Sequence, residues 1–252
     1  SALLTAMDTP LGLTAGNGLE VRESVEVLAG GGPRDVIDVT ASGAGVSSNP
    51  HYNASRPRSW RSRVYARGFR SPFRFSLDPR TGAPIVGDVG WRTKEEVNLV
   101  TPGQNYKWPC WEGRIKTPGY TDLKQCANVT NTPPMWNYNH GGGSNQGDSV
   151  TGGVVYTGKS YPTAYRGAYF FGDYAGSKIW TMRFDANGKV VTPPQDPPFG
   201  VDIGGPVKFA TAAPDGVKRS SGSSVMLPTS VTVLSDAISS LSLDRDQPAV
   251  AG

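Results

Sequence analysis

The sequence predicts an all-β fold of short antiparallel strands, and three observations carry that reading. Gly and Pro, 32 and 21 of 252 residues, make up about a fifth of the chain without a three-residue period, which favours many short elements between turns over long helices and excludes collagen. Short β-prone runs bounded by turn residues fill the middle of the chain. A seven-residue pattern recurs, with Gly82-Ala83-Pro84-Ile85-Val86-Gly87-Asp88 matched by Gly167-Ala168-Tyr169-Phe170-Phe171-Gly172-Asp173.

Taken in order, residues 1 to about 45 read as an irregular N-terminal segment, with Glu20 to Leu28 open between a short helix and a strand and a breaker at Gly30 to Pro33. Strands are then expected at Phe73–Leu77, Pro84–Val89, Glu96–Val100, Gly153–Thr157, Ala168–Asp173, Lys178–Phe184 and Lys189–Thr192. Asp78 to Gly82 and Asp185 to Gly188 read as the turns of antiparallel pairs, the second supplying Asn-Gly for positive φ. The heptamer recurs after 85 residues, and since a four-stranded propeller blade takes about 40 to 50 residues, that spacing reads as two blades. From 216 to 252 the chain is a Ser-rich extension, with Ser223 to Leu243 open between an added strand pair and a linker.

Charge and composition exclude several classes. No run reaches the roughly 20 apolar residues of a membrane-spanning helix, and 25 basic against 21 acidic residues leaves a net charge of only +4. Arg56, Arg58, Arg61, Arg63, Arg67, Arg70 and Arg74 crowd together, but a solvated strand face or an anionic-ligand site explains them as well as nucleic acid does, and no nucleic-acid partner is expected. Cys110 and Cys126 lack the spacing of a zinc site, and one disulfide closing a long loop is expected. Asn53-Ala54-Ser55 and Asn128-Val129-Thr130 are N-glycosylation acceptors, which together with the paired cysteines point to a secreted, extracellular setting. The chain opens at Ser1 without Met or a signal-like stretch, as expected of a processed protein or a section of a longer one.

Few catalytic constellations are present. With His51 and His140 the only histidines, a three-His metal site cannot be built, and neither a Gly-x-Ser-x-Gly elbow nor a Gly-x-Gly-x-x-Gly helix start occurs. The oxygen-rich stretch Gly87 to Glu96, followed by Asn98 and then Asn105-Tyr106, suits Ca²⁺, which takes six to eight oxygens, and equally suits a turn whose acids cap backbone amides. His140, ahead of Gly141 to Gly143, reads as a base, a hydrogen-bond donor or a structural loop histidine. Arg70 reads as an anion clamp or as an arginine stacked on aromatic rings. Trp108, Trp111, Trp136 and Trp180 read as a sugar-stacking platform or as core.

The run from Tyr65-Ala66-Arg67-Gly68-Phe69-Arg70-Ser71-Pro72 through Gly87-Asp88-Val89-Gly90-Trp91, Glu95-Glu96-Val97-Asn98 and Asn105-Tyr106-Lys107-Trp108-Pro109-Cys110-Trp111-Glu112-Gly113 resembles the glucose/sorbosone dehydrogenase family. Ser149 to Gly153 and Tyr161 to Tyr174 continue the resemblance, which covers roughly 46 to 215. It implies four-stranded antiparallel blades of a six-bladed β-propeller, only the later ones being present. It also implies pyrroloquinoline quinone (PQQ) beside Ca²⁺, and oxidation of a sugar at its anomeric carbon with a histidine as base. By the same resemblance Arg70 lies beside the quinone with Lys208, the carbonyls of Gly90 and Trp91 bind the catalytic Ca²⁺, and Glu96 and Tyr106 form a further calcium-binding pair.

The sequence departs from the family at Ser71, where Asn is usual, and at Ala175, where a quinone-binding lysine is expected. Of an arginine pair only Lys208 retains a charge, and the family's catalytic histidine lies upstream of everything matched. Two readings follow. One is a secreted PQQ-dependent sugar dehydrogenase represented by its later blades, the rest supplied elsewhere. The other is a non-catalytic structural or carbohydrate-binding module of an extracellular assembly, in which other chains complete the propeller.

Overall fold

The computed structural model describes residues 18–22, 33–159, 161–211, 224–226 and 231–235. Two compact units form: one combines the chain up to Pro72 with Leu99–Pro134, and the other combines Phe73–Asn98 with the chain from Met135 onward. Helix among the described residues is limited to the single turn Trp60–Arg63 and two short 3-10 turns, so the all-β expectation holds.

In the first unit β1 (Gly18–Arg22), β2 (Arg34–Val39) and β3 (Val64–Phe69) form an antiparallel sheet in that order. The expected boundary at residue 45 therefore falls between two strands of one sheet, and Glu20 to Arg22 are strand while Glu23 to Leu28 lie outside the described residues. Residues 104–108 lie along β3: Tyr106 N–H donates to Arg67 O and Trp108 N–H to Gly68 O. Gly68 has φ 83°, and a Cβ there would lie 2.0 Å from Asn105 Oδ1, so this close approach requires glycine.

The second unit opens with β4 (Pro72–Leu77), β5 (Pro84–Asp88) and β6 (Lys94–Leu99). The chain then passes through a short hairpin, β7 (Trp111–Glu112) and β8 (Ile115–Lys116), before β9 (Trp136–Asn139) completes the four-stranded sheet β4-β5-β6-β9. A second four-stranded sheet runs β10 (Val150–Val155), β11 (Tyr169–Asp173), β12 (Lys178–Phe184), β13 (Val190–Thr192), all antiparallel. A third contains β14 (Pro206–Thr211), β15 (Ser224–Met226) and β16 (Val231–Ser235) in the order β14-β16-β15. The stretch left open between a strand pair and a linker thus contains a strand pair.

The heptamer has a physical basis, but not the spacing inferred from it. Both copies are the second strand of a four-stranded blade, and β5 lies against β10, so the 85 residues separate consecutive blades. The excess over one blade is the excursion between β6 and β9. The glycine of each copy marks where the next sheet crosses. A Cβ on Gly87 would lie 2.5 Å from the Gly152 nitrogen, and one on Gly172 would lie 2.9 Å from both Phe209 Cζ and Pro206 Cγ. Apolar packing fills the interval between the later sheets, where Tyr156, Ala168, Phe170, Ile179, Ile203 and Phe209 form one buried cluster.

Candidate functional site

In the second unit His140 and the turn that carries Gly90 come together where the turn after β5 meets the loop between β9 and β10. Glu95, inside β6, is fully buried. Its Oε1 accepts from Gly90 N–H at 3.2 Å and lies 2.7 Å from His140 Nε2, while its Oε2 accepts from Val150 N–H at 2.8 Å. Strand alternation explains why Glu95 turns inward and Glu96 does not. Burial pushes the Glu95 carboxyl above the usual carboxylate range, and the bonds from His140 and Val150 draw it only part of the way back. Beside it, Tyr138 O–H donates to Asp173 Oδ2 at 2.9 Å, and Asp173 also accepts from the amides of Ser149 and Gly176. Burial, then the charges of Asp173 and Glu95, hold the Tyr138 phenol far above its ordinary value.

The loop 140–149 is fixed by side chains from its surroundings. Lys178 Nζ donates to the carbonyls of Gly143 at 2.6 Å, Gln146 at 2.8 Å and Gly142 at 3.4 Å. Trp180 Nε1 donates to Ser144 O, and Asp148 accepts from Gly141 N–H. Sequence reasoning named His140 but missed Glu95, Asp173 and Lys178. Glu95 stood in the oxygen-rich stretch without being singled out, and the partners of all three come from elements far away in the chain.

His140 is anchored to the scaffold through one ring nitrogen. Its Nε2 is committed to Glu95, and its Nδ1 faces Asp148 Oδ1 at 3.8 Å. His51 lies half-buried in a turn of the first unit. Gly90 and Trp91 are in the turn that Glu95 grips, with the Arg92 guanidinium 4.4 Å over the Trp91 ring, and Glu96 Oε2 accepts from Asn98. Lys208 is on β14, and its side chain lies outside the described atoms.

The remaining candidates belong to the first unit. The Arg70 guanidinium lies 5.6 Å over the Trp108 ring, and Ser71 accepts from Arg34. Tyr106 stacks on Phe69 at 4.6 Å, and its hydroxyl donates to Leu99 O while accepting from Thr101 N–H. The expected disulfide joins Cys110 and Cys126. Asn53 and Asn128 are both exposed. Of the tryptophans, Trp108 and Trp180 are buried, and Trp111 ties the disulfide loop by donating to Val129 O.

One position that the family resemblance places toward the quinone lacks its charge. The exposed turn after β11 carries Ala175 where an amine is expected, and His140 has its Nε2 on a buried carboxylate.

Comparison with known proteins agrees with this architecture. The family model "Glucose / Sorbosone dehydrogenase" matches residues 1–217. The HIPL1 protein of Arabidopsis thaliana is 32% identical over 126 residues, 46% of this chain and 18% of that protein. The HIPL2 protein of the same plant is 30% identical over 168 residues, 61% of this chain and 22% of that protein. A 44-residue stretch, 18% of this chain, is 64% identical to a tenth of the thymidine phosphorylase of Mycobacterium tuberculosis. Among solved structures, a glucose dehydrogenase superposes with TM-score 0.54 at 22% identity, covering 71% of this chain and 47% of that one. The apo soluble aldose sugar dehydrogenase of Escherichia coli does so with TM-score 0.54 at 21% identity, covering 79% and 53%. The chain thus spans about a fifth of the HIPL proteins and about half of the solved enzymes. With its blade-type sheets, its repeated Gly-Asp strand and a family match over most of its length, the chain belongs to the glucose/sorbosone dehydrogenase family.

Proposed function

We propose that this chain is a secreted sugar-contacting scaffold built from later blades of a sugar dehydrogenase propeller, with an incomplete catalytic set. Anomeric oxidation with PQQ and Ca²⁺ then belongs to complete relatives of the family. The observation that supports the reading is that neither His51 nor His140 falls in the motif where the family's catalytic histidine is expected, while His140 is anchored on buried Glu95 through Nε2. Ala175 in place of an amine supports it from the cofactor side. A Ca²⁺ role for the carbonyls of Gly90 and Trp91, and a further calcium role for the pair Glu96 and Tyr106, stay part of the proposal, since hard oxygens suit that ion. Arg70 and Lys208 are the cationic groups that the family resemblance places on the quinone side. Further blades, in the same polypeptide or in partner chains, would cover the open sheet edges.

The test is a titration of the purified chain with PQQ in the presence of Ca²⁺, read by quinone absorbance and Trp fluorescence, with sugar binding and aldose-dependent dye reduction measured on the same sample. Sugar binding without dye reduction is expected. Sugar-dependent turnover contradicts the proposal.

A further inference from the structure

The Lys178 ammonium occupies an unusual position. Its side chain leaves β12 at the residue opposite Asp173 in the β11–β12 register, is about nine-tenths buried, and ends among the carbonyls of Gly142, Gly143 and Gln146. An ammonium carries three protons and no acceptor, and here three carbonyl oxygens of one short loop turn toward it. Several carbonyl dipoles aimed at one point repel each other unless a cation lies between them, and rings of carbonyls are how proteins replace the hydration shell of monovalent ions. No apolar side chain occurs from Gly141 to Ser149, and the exposed residues Ser144 and Asn145 are otherwise held from outside the loop by Trp180 Nε1 donating to Ser144 O and by Asn145 Nδ2 donating to Asp196 Oδ2.

The hydrogen bonds of the loop agree with a structure organised from its centre. Gly143 N–H donates to Gln146 Oε1, Gln146 N–H donates to Gly143 O, and Gly147 N–H donates to Asn139 O. Asp173, fully buried, places a carboxylate against Gly147, where a Cβ would lie 2.3 Å from its Oδ2. Carbonyl oxygens of the loop thus face the ammonium, and Asp173 is the residue paired with Lys178 on the neighbouring strand.

We infer that the loop 140–147 is built on a monovalent-cation site whose cation is the ammonium of Lys178, and that a small ammonium ion or K⁺ fills the same cage when that side chain is shortened. Lys178 is thus a positioning residue. It fixes the exposed Ser144 and Asn145 through the carbonyl cage rather than by touching whatever those residues meet. The inference is independent of the sugar-binding proposal, because it concerns only the loop and its cation.

The experiment is amide hydrogen exchange of residues 141–147 in the full chain, for wild type, Lys178→Ala and Lys178→Met, with methylammonium chloride, KCl or tetramethylammonium chloride at equal ionic strength. Lys178→Ala is expected to raise exchange at Gly143 and Gln146 by about tenfold or more. Methylammonium or K⁺ should restore protection, and tetramethylammonium, too large for the cage and without a proton to donate, should not. Lys178→Met, which keeps the stem without the charge, should exchange as fast as Lys178→Ala. Unchanged exchange in Lys178→Ala overturns the inference, as does protection retained by Lys178→Met or a loss that no cation repairs. If Lys178→Ala does not fold in plain buffer, its folding is followed by circular dichroism in methylammonium and in tetramethylammonium: folding rescued by the first alone is expected, and rescue by neither or by both equally overturns the inference.

Discussion

The two four-stranded blades of the second unit use the same plan and fill it differently. Each has an apolar second strand ending in Gly-Asp, and in each the glycine lets the next sheet approach. They differ in the link between third and fourth strands. In the second blade that link is Asp185 to Lys189, a tight turn closed by Asp185 N–H donating to Lys189 O. In the first blade it runs from Val100 to Met135 and carries the hairpin β7–β8, the disulfide and Tyr106. The blade is thus a constant frame, and variation is placed where chain can be added without disturbing a core strand.

The polar interior sharpens the contrast. Glu95 of the first blade reaches across to the Val150 amide of the second, whereas Asp173 of the second blade gathers Tyr138, Ser149 and Gly176. Removing Glu95 should break the comparison most severely. Glu95→Ala leaves two amides and an imidazole without their buried acceptor and should cost about 3–5 kcal/mol in urea unfolding. Glu95→Gln, which retains an acceptor oxygen, should cost distinctly less.

Removing the first blade's excursion as a constraint comes next. Replacing both cysteines by Ser should cost about 3 kcal/mol from the loop of sixteen residues that the bridge closes. The change in exchange protection should centre on 108–130 and leave β10–β13 unaffected.

The paired glycines then separate backbone from side-chain crowding. Gly87→Ala meets only backbone, at Thr151 and Gly152, and should lose about 3 kcal/mol, while Gly172→Ala meets the ring ends of Phe209 and Pro206 and, at 3.0 Å, the Lys178 carbonyl, and should lose about 1–2 kcal/mol. Equal losses in denaturant midpoint would mean that the two sheets yield alike.

The turn before β5 gives a smaller, pH-dependent effect. Asp78 forms two side-chain bonds with Arg80, which also donates to Phe184 O of the second blade. Burial would raise the Asp78 carboxyl, but the Arg80 side chain and amide outweigh it and hold it below the usual range. A depressed folded pKa gives stability that is fully present above the unfolded value, about 3.9, and is lost as pH falls through the lower folded value. Asp78→Asn should therefore be destabilised near neutrality, and its deficit should shrink as unfolding is repeated at more acid pH.

Much of the second unit was legible because its strands obey local rules. The turns at Asp78 to Gly82 and Asp185 to Gly188 have the residues their geometry demands, and β5, β11 and β12 are almost continuously buried, so their apolar runs stand out. β9 escaped because Trp136, Asn137, Tyr138 and Asn139 are half polar, and its place in the sheet depends on pairing with Lys94 to Val97 across the whole excursion. β2 escaped for a similar reason: its partner β3 lies some thirty residues away. The spacing of the repeat misled because a period counts residues, and an insertion between two strands lengthens the count without adding a blade.

At the candidate site the sequence marked His140 but not its partner. A glutamate beside another glutamate gives no sign of which one faces inward until the strand's alternation is fixed by its neighbours. The same holds for Lys178, whose role depends on a loop more than thirty residues earlier in the chain.

The measurement that tests the account most directly is His140→Gln read two ways, by urea unfolding and by aldose-dependent dye reduction after loading with PQQ and Ca²⁺. A positioning histidine predicts a stability loss of about 1–3 kcal/mol, with wild type and variant both at background in the dye assay. Unchanged stability, together with wild-type turnover that the substitution abolishes, would make His140 a catalytic base and contradict the account.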